Sequence, residues 1–105
     1  MVRVLVCTDY VTKWVEAKDV TKATEQVVSD FLFEEIFSHY GTPREIVSDG
    51  GVQFTSHMIA NLMQKYGVKH KVTSPYHPQV NGQVESTNKT LENILTKNVT
   101  YHRRD

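Results

Sequence analysis

Two carboxylates raise the chemical question in this chain. Asp49 lies in Ser48-Asp49-Gly50-Gly51-Val52-Gln53-Phe54, and Glu85 closes Pro75-Tyr76-His77-Pro78-Gln79-Val80-Asn81-Gly82-Gln83-Val84-Glu85, with 35 residues between them. A carboxylate at a strand terminus and another on a helix can share divalent cations that act on phosphate esters. Each also has an ordinary reading. An Asp before Gly-Gly shapes a tight turn, and a Glu in the first turn of a helix is favoured by the helix dipole by roughly 0.3–1 kcal/mol. The neighbours tilt the balance toward chemistry. Gln53 and Phe54 follow the first carboxylate, and Tyr76 and Gln79 precede the second. Asn81, Glu85, Asn88 and Lys89 recur at steps of four, three and one, which places them on one stripe of a helix. Amides position a phosphodiester backbone and a lysine neutralises it, although a solvated helix face would carry the same stripe.

The elements that must position these residues are legible from periodicity. Val2–Thr8 is rich in β-branched residues and reads as a strand, with 14–20 as a second strand across the short loop Asp9–Lys13, the length of an antiparallel hairpin. From Thr21 the period changes. Ala23, Val27, Val28, Phe31, Leu32, Ile36 and Phe37 form an amphipathic helical stripe, with Thr21 as its N-cap, Gly41 at its end and Pro43 barring its continuation. Residues 44–48 read as a third strand stopped by Gly50-Gly51. A helix over 56–66 turns Met58, Ile59, Leu62 and Met63 inward and ends at Gly67; 68–73 reads as a fourth strand. Pro75 and Pro78 force an irregular loop. A last helix from Asn81 carries Val84, Leu91, Ile94 and Leu95 on its buried side and frays toward 101–105. The order is ββαβαβα, an α/β class. A strand–helix–strand crossover makes strands 14–20 and 44–48 parallel. Asp49 then stands at the carboxyl edge of the sheet, where α/β folds place their chemistry.

Composition narrows the classes without choosing among them. The 105 residues suffice for a single small domain over 1–105, 39% of them are hydrophobic, and 12 basic residues balance 12 acidic ones. Residues 1–43 hold four Lys or Arg against seven Asp or Glu, whereas 44–105 hold eight against five. That asymmetry suits a second half facing nucleic acid. One cysteine, Cys7, excludes an internal disulfide and a multi-cysteine zinc site, and the five histidines show no metal-ligand spacing. The apolar run at the start is too short for a membrane span or a signal segment, so the expectation is an intracellular protein with no membrane partner.

Four motifs fall in order along the chain: Thr12-Lys13-Trp14-Val15-Glu16-Ala17, Tyr40-Gly41-Thr42-Pro43, Ser48 to Phe54, and Pro75 to Glu85. Together with the 35-residue gap they resemble the catalytic core of retroviral and LTR-retrotransposon integrases, most closely the Gypsy type, over residues 2–98. The resemblance implies a ribonuclease-H-like integrase core and metal-dependent polynucleotidyl transfer: cleavage at a 3′ end and joining of that strand to target DNA. It implies Mg²⁺ or Mn²⁺ held by Asp49 and Glu85. It also implies contacts from Gln53, Tyr76, Gln79, Asn81, Asn88 and Lys89 to retroelement ends and target DNA, multimers on DNA, and a nuclear location.

The resemblance also places the family's first catalytic Asp on a central strand preceding Met1. Asp9 does not replace it, because a hairpin loop between 2–8 and 14–20 lies at the opposite edge of the sheet from Asp49. The edges are on the order of 15–20 Å apart, whereas a carboxylate must come within roughly 2–2.5 Å of a hard cation. The expectation is therefore a core truncated at its start and inactive as an isolated chain, with strands 2–8 and 44–48 lacking their shared neighbour. A non-catalytic nucleic-acid-binding remnant or domesticated module is the alternative, and a general ribonuclease-H-like nuclease a third reading that the Pro75–Glu85 segment argues against.

Overall fold

A computed structural model describes residues 2–73 and 94–104. β1 (Val2–Asp9) and β2 (Val15–Val20) form the expected antiparallel hairpin, in register from Thr8 opposite Val15 to Arg3 opposite Val20. The turn is built by Asp9. Its Oδ1 accepts the backbone N–H groups of Val11 (2.9 Å) and Thr12 (3.1 Å), a side chain replacing a turn carbonyl. Alternation then decides the faces: Leu5, Cys7 and Asp9 are buried under the helices, and the even-numbered residues between them face the other way.

A continuous helix over 25–40 follows, in three registers: α1 (Glu25–Asp30), a π-helical stretch (Phe31–Phe37) and α2 (Ser38–Tyr40). Its cap is Thr24, whose hydroxyl accepts from the Val27 N–H at 3.2 Å, and not the expected Thr21. The chain needs the extra residues 21–23 to leave β2 before it can turn. The π register bonds backbone groups five residues apart, and Phe31, Leu32, Ile36 and Phe37 within it are all buried. Gly41 ends the helix with φ +90°, a conformation that favours glycine, and its N–H bonds the Phe37 carbonyl.

β3 (Glu45–Ser48) and β4 (Lys69–Val72) are parallel neighbours joined through α3 (Val52–Thr55) and α4 (His57–Tyr66). Ser56 caps α4 by accepting from Ile59, and Gly67 closes it in the left-handed region. The short α3 has no counterpart in the periodicity. The core gathers on one face of the sheet: Leu5 and Cys7 from β1, Val28, Phe31, Leu32, Ile36 and Phe37 from the long helix, Ile46 from β3, and Phe54, Ile59 and Met63 from α3 and α4. Among the described residues no helix is long and apolar enough to cross a membrane.

The largest correction concerns the C-terminal residues. Ile94 and Leu95 do not continue a helix, and the segment after them does not fray; Ile94–His102 is a nine-residue strand, β5. It lies in the middle of a sheet of order β2-β1-β5-β3-β4. β5 pairs in parallel with β1, from Val2 opposite Ile94 to Asp9 opposite Tyr101, and antiparallel with β3, from Glu45 opposite His102 to Ser48 opposite Val99. The gap expected between strands 2–8 and 44–48 is therefore filled from the other end of the chain. Val99 and Tyr101 turn into the core; Thr96 and Asn98 are exposed on the other face, which Thr100 shares half-buried.

Side chains fasten the end of this strand. The Tyr101 hydroxyl donates to the Tyr40 and Gly41 carbonyls at 3.0 and 2.8 Å. Arg104 donates to the carbonyls of Thr42, Tyr66 and Gly67. Arg103 donates through Nε and Nη2 to Asp9 Oδ2 at 3.0 and 2.6 Å. Burial pushes the Asp9 carboxyl up, but the Arg103 pair and the Thr12 and Val11 N–H groups outweigh it and hold the group below the usual carboxylate range.

Two outcomes are expected. Pro at Val99 removes a ladder N–H from a central strand and should abolish the cooperative thermal transition followed by circular dichroism, whereas Val99→Ala should cost only roughly 1–3 kcal/mol. Arg103→Ala should destabilise by about 1.5–3 kcal/mol at pH 7, the worth of hydrogen bonds to a charged group. Asp9 has a depressed folded-state pKa, so its contribution is present above the unfolded value of about 3.9 and is lost as pH falls through the folded value. Urea melts at pH 7 and pH 3 should show the gap between wild type and Arg103→Ala narrowing in acid.

Candidate active site

The turn after β3 is where the sequence motif and the sheet edge coincide. Ser48, buried, is the last residue of the strand, and its carbonyl accepts the backbone N–H of Thr73 at 2.8 Å. Its hydroxyl donates to the Asp49 carbonyl (2.9 Å) and lies 2.7 Å from His70 Nε2. With the hydroxyl proton so used, the imidazole N–H donates to Ser48 Oγ. Burial pulls the His70 pKa down, which keeps that ring neutral near pH 7. These bonds fix the backbone from which Asp49 projects.

Asp49 is exposed, and its Oδ1 accepts the Gly51 N–H at 2.8 Å. Its Oδ2 makes no hydrogen bond to a described residue. The motif's second glycine is explained by crowding: a Cβ on Gly51 would sit 2.8 and 2.9 Å from the Gln53 amide atoms and 3.0 Å from Asp49 Oδ1. Gln53 thereby lies against the same turn, and its buried Nε2 has no partner among the described residues. The turn opens into a cleft of about 300 Å³ lined by Val47, Ser48, Asp49, Thr73, Thr96, Asn98 and Thr100.

Asp49 and Gln53 are thus neighbours, as the sequence implied. Glu85, Tyr76, Gln79, Asn81, Asn88 and Lys89 lie outside the described residues. Among the described residues no group of three His, Cys, Asp or Glu side chains comes close enough to hold a metal ion. Asp9 is remote. It pairs with Tyr101 on β5, whereas Asp49 follows the Ser48–Val99 pair. Two strand spacings and about three residues separate them, on the order of 14 Å. With only 2% of its surface exposed and both oxygens bonded, Asp9 serves the hairpin and the β5 latch. Thr96, Asn98 and Thr100 were missed as cleft residues because 94–95 were assigned to a helix. Their alternation with the inward Val99 and Tyr101 was the available signal.

Comparison with known proteins gives this site its family. The integrase core domain profile matches residues 1–78. An uncharacterised protein of Caenorhabditis elegans is 41% identical over 93 residues, covering 89% of this chain and 7% of the relative. The Pol polyprotein of Feline endogenous virus ECE1 is 39% identical over 93 residues, covering 89% of this chain and 9% of the polyprotein. Among solved structures, the simian T-cell lymphotropic virus intasome has a chain superposing with TM-score 0.55 at 27% identity, covering 71% of this chain and 27% of that one. The catalytic core domain of BIV integrase superposes with TM-score 0.52 at 24% identity, covering 86% and 66%. The chain belongs to the integrase core domain family, and its mixed sheet with helices is the ribonuclease-H-like fold of retroviral integrase cores. It spans only a small part, 7% and 9%, of the length of these two relatives.

Gly51→Ala tests the crowding at the turn. The backbone there has an ordinary φ of −59°, so stability should change by less than about 1 kcal/mol. The Gln53 amide must move, and its side-chain ¹⁵N–¹H resonances should shift in a heteronuclear correlation spectrum.

Proposed function

We propose that this chain is the catalytic-core portion of a retroelement integrase, a domain for metal-dependent cleavage and joining of DNA ends. The observation that carries the reading is Asp49: a carboxylate held by one oxygen at the carboxyl end of β3, its other oxygen unbonded among the described residues, beside an oxygen-lined cleft. That donor set suits a hard cation such as Mg²⁺ or Mn²⁺, which binds oxygen ligands. When bound, such a cation polarises a phosphodiester and stabilises the charge that develops on it.

The chain's own residues divide the remaining tasks. Asp49, with Glu85 from the Pro75–Glu85 motif, would hold the cation. Gln53, beside Asp49, has a buried amide N–H without a partner among the described residues, which would donate to a phosphate oxygen of bound DNA. Tyr76, Gln79, Asn81, Asn88 and Lys89 contact the DNA ends and the target, with Lys89 supplying the charge. The cognate partners are retroelement ends and target DNA in a multimer, and the place of action is the nucleus. The similarity to Pol polyproteins and to an intasome subunit supports this assignment.

A second reading is favoured by a specific observation. The cleft face of β5 presents Thr96, Asn98 and Thr100, and the neighbouring strand's Asp9 is locked at the far edge. The described part of the site therefore holds one carboxylate, which fits a DNA-binding module without turnover.

A single set of assays separates the two. Purified protein is titrated with Mn²⁺ and with a fluorescent DNA duplex, then assayed for nicking. Asp49→Asn should abolish Mn²⁺ binding and any nicking while leaving DNA affinity within about threefold. Lys89→Ala should weaken DNA binding and lower the salt slope by about one. DNA binding without Mn²⁺-dependent nicking selects the second reading. Absence of both Mn²⁺ binding and DNA binding removes the proposal.

A further inference from the structure

The cleft beside Asp49 is closed on one side by a strand that no motif singled out. β5 runs antiparallel to β3, and their final pair is Ser48 with Val99. One step further, Asp49 leaves β3 as Asn98 comes alongside on β5. Val99 and Ser48 point into the core, so Asn98 and Asp49 emerge on the opposite face together. Residues laterally adjacent across antiparallel strands carry Cβ atoms roughly 4.5–5.5 Å apart. Both line the same cleft, with hydroxyls from Thr73, Thr96 and Thr100 around them. Among the described residues the lining contains no Lys or Arg that would neutralise Asp49. Neither Asp49 Oδ2 nor the side chains of Thr96, Asn98 and Thr100 are hydrogen-bonded to a described residue.

We propose that the cleft between β3 and β5 is a divalent-cation site completed by the C-terminal strand, in which the Asn98 side-chain carbonyl is a neutral oxygen donor opposite the Asp49 carboxylate. This deepens the reading of Asp49 as a cation-holding residue and rests on it. A hard cation accepts amide and hydroxyl oxygens as well as carboxylates, and its affinity is set largely by the number of charged ligands. Asp49 contributes one negative charge and Asn98 none, so the pair holds Mg²⁺ or Mn²⁺ weakly and retains several waters, which the three threonine hydroxyls are placed to accept or orient. In the ordinary alternative, Asn98 only decorates a solvated sheet face and its amide NH₂ faces the carboxylate.

The two differ in what a carboxylate at position 98 does. In the site, Asn98→Asp supplies a further charged ligand beside Asp49. Without metal it sets two like charges side by side and lowers the melting temperature; with Mn²⁺ that loss is reversed. The experiment is a Mn²⁺ titration by isothermal calorimetry with a parallel thermal melt, on wild type, Asn98→Asp, Asn98→Ala, Asp49→Asn and the Asp49→Asn/Asn98→Asp double variant. Thr8→Asp serves as a charge control, since Thr8 occupies the same sheet face on β1 outside the cleft lining.

The expected result is at least tenfold tighter Mn²⁺ binding in Asn98→Asp, lost in the double variant, with Asn98→Ala weaker than wild type and Thr8→Asp within twofold of it. If Asn98→Asp and Asn98→Ala both bind as wild type, or if Thr8→Asp tightens binding as much as Asn98→Asp, the role of Asn98 is overturned while Asp49 keeps its assignment. If Asp49→Asn binds as wild type, the underlying reading fails. The Asn98→Ala comparison retains its force even where the two facing carboxylates prevent folding.

Discussion

β1 and β3 do not touch each other, yet each directs a row of backbone N–H and C=O groups into the space between them. An open row of that kind costs free energy when it is buried under helices. Residues 94–102 satisfy both rows at once, and the rest of the structure depends on that double pairing. It joins the β1–β2 hairpin to the β3–β4 pair, lays Val99 and Tyr101 under the long helix, and gives the Asp49 turn a wall to face. The direction of β5 matters as much as its presence. Lying parallel to β1 and antiparallel to β3, it ends beside Asp9 and passes Asp49 in mid-strand.

The two ends of the sheet consequently differ in electrostatic character. At the end where β1 and β5 finish, charges are paired and shut in. Asp9 is saturated by Arg103 and two backbone N–H groups. The nearby Cys7 thiol is pushed up to about 12 by burial, with Asp9 and Glu16 adding to it, and so stays protonated and inert. At the other end Asp49 is exposed, uses one oxygen on its own turn, and has the second unbonded among the described residues. The aspartate that the fold neutralises and the aspartate that it presents are distinguished by their neighbours, since the residue type is the same. A search by acidic residues alone would weigh them equally.

Periodicity was enough for the local elements. The β-branched run at 2–8, the stripe from Val27 to Phe37, and the Ser56 and Gly67 boundaries of α4 were all visible, as was the placement of Asp49 at the carboxyl edge by the parallel sense of a strand–helix–strand crossover. Three features were not. The π register has no residue-type signature, because the same stripe satisfies both windings until packing chooses. Thr21 and Thr24 are equally good caps in composition, and only the path out of β2 selects the second. β5 was misassigned because Leu91, Ile94 and Leu95 extend a helical spacing, whereas the strand pattern Thr96, Asn98, Thr100 against Val99, Tyr101 needs partners at residues 2–9 and 45–48 to become favourable. Pairing at such long sequence separation outweighs local preference, and a single window cannot report it. The cleft beside Asp49 was hidden for the same reason.

A central strand contributed by residues 94–102 also orders events in time. The hairpin and the parallel pair emerge from the ribosome first, each lacking the partner that joins them, and neither can be bridged until residue 102 has left the exit tunnel. The closing step links residues about ninety positions apart in sequence, a contact that slows folding relative to neighbouring pairings. Until then two unpaired strand borders remain available to other chains. The sheet of this protein therefore closes only once residues 94–102 are available, and its yield in a cell depends on how long those borders stay protected.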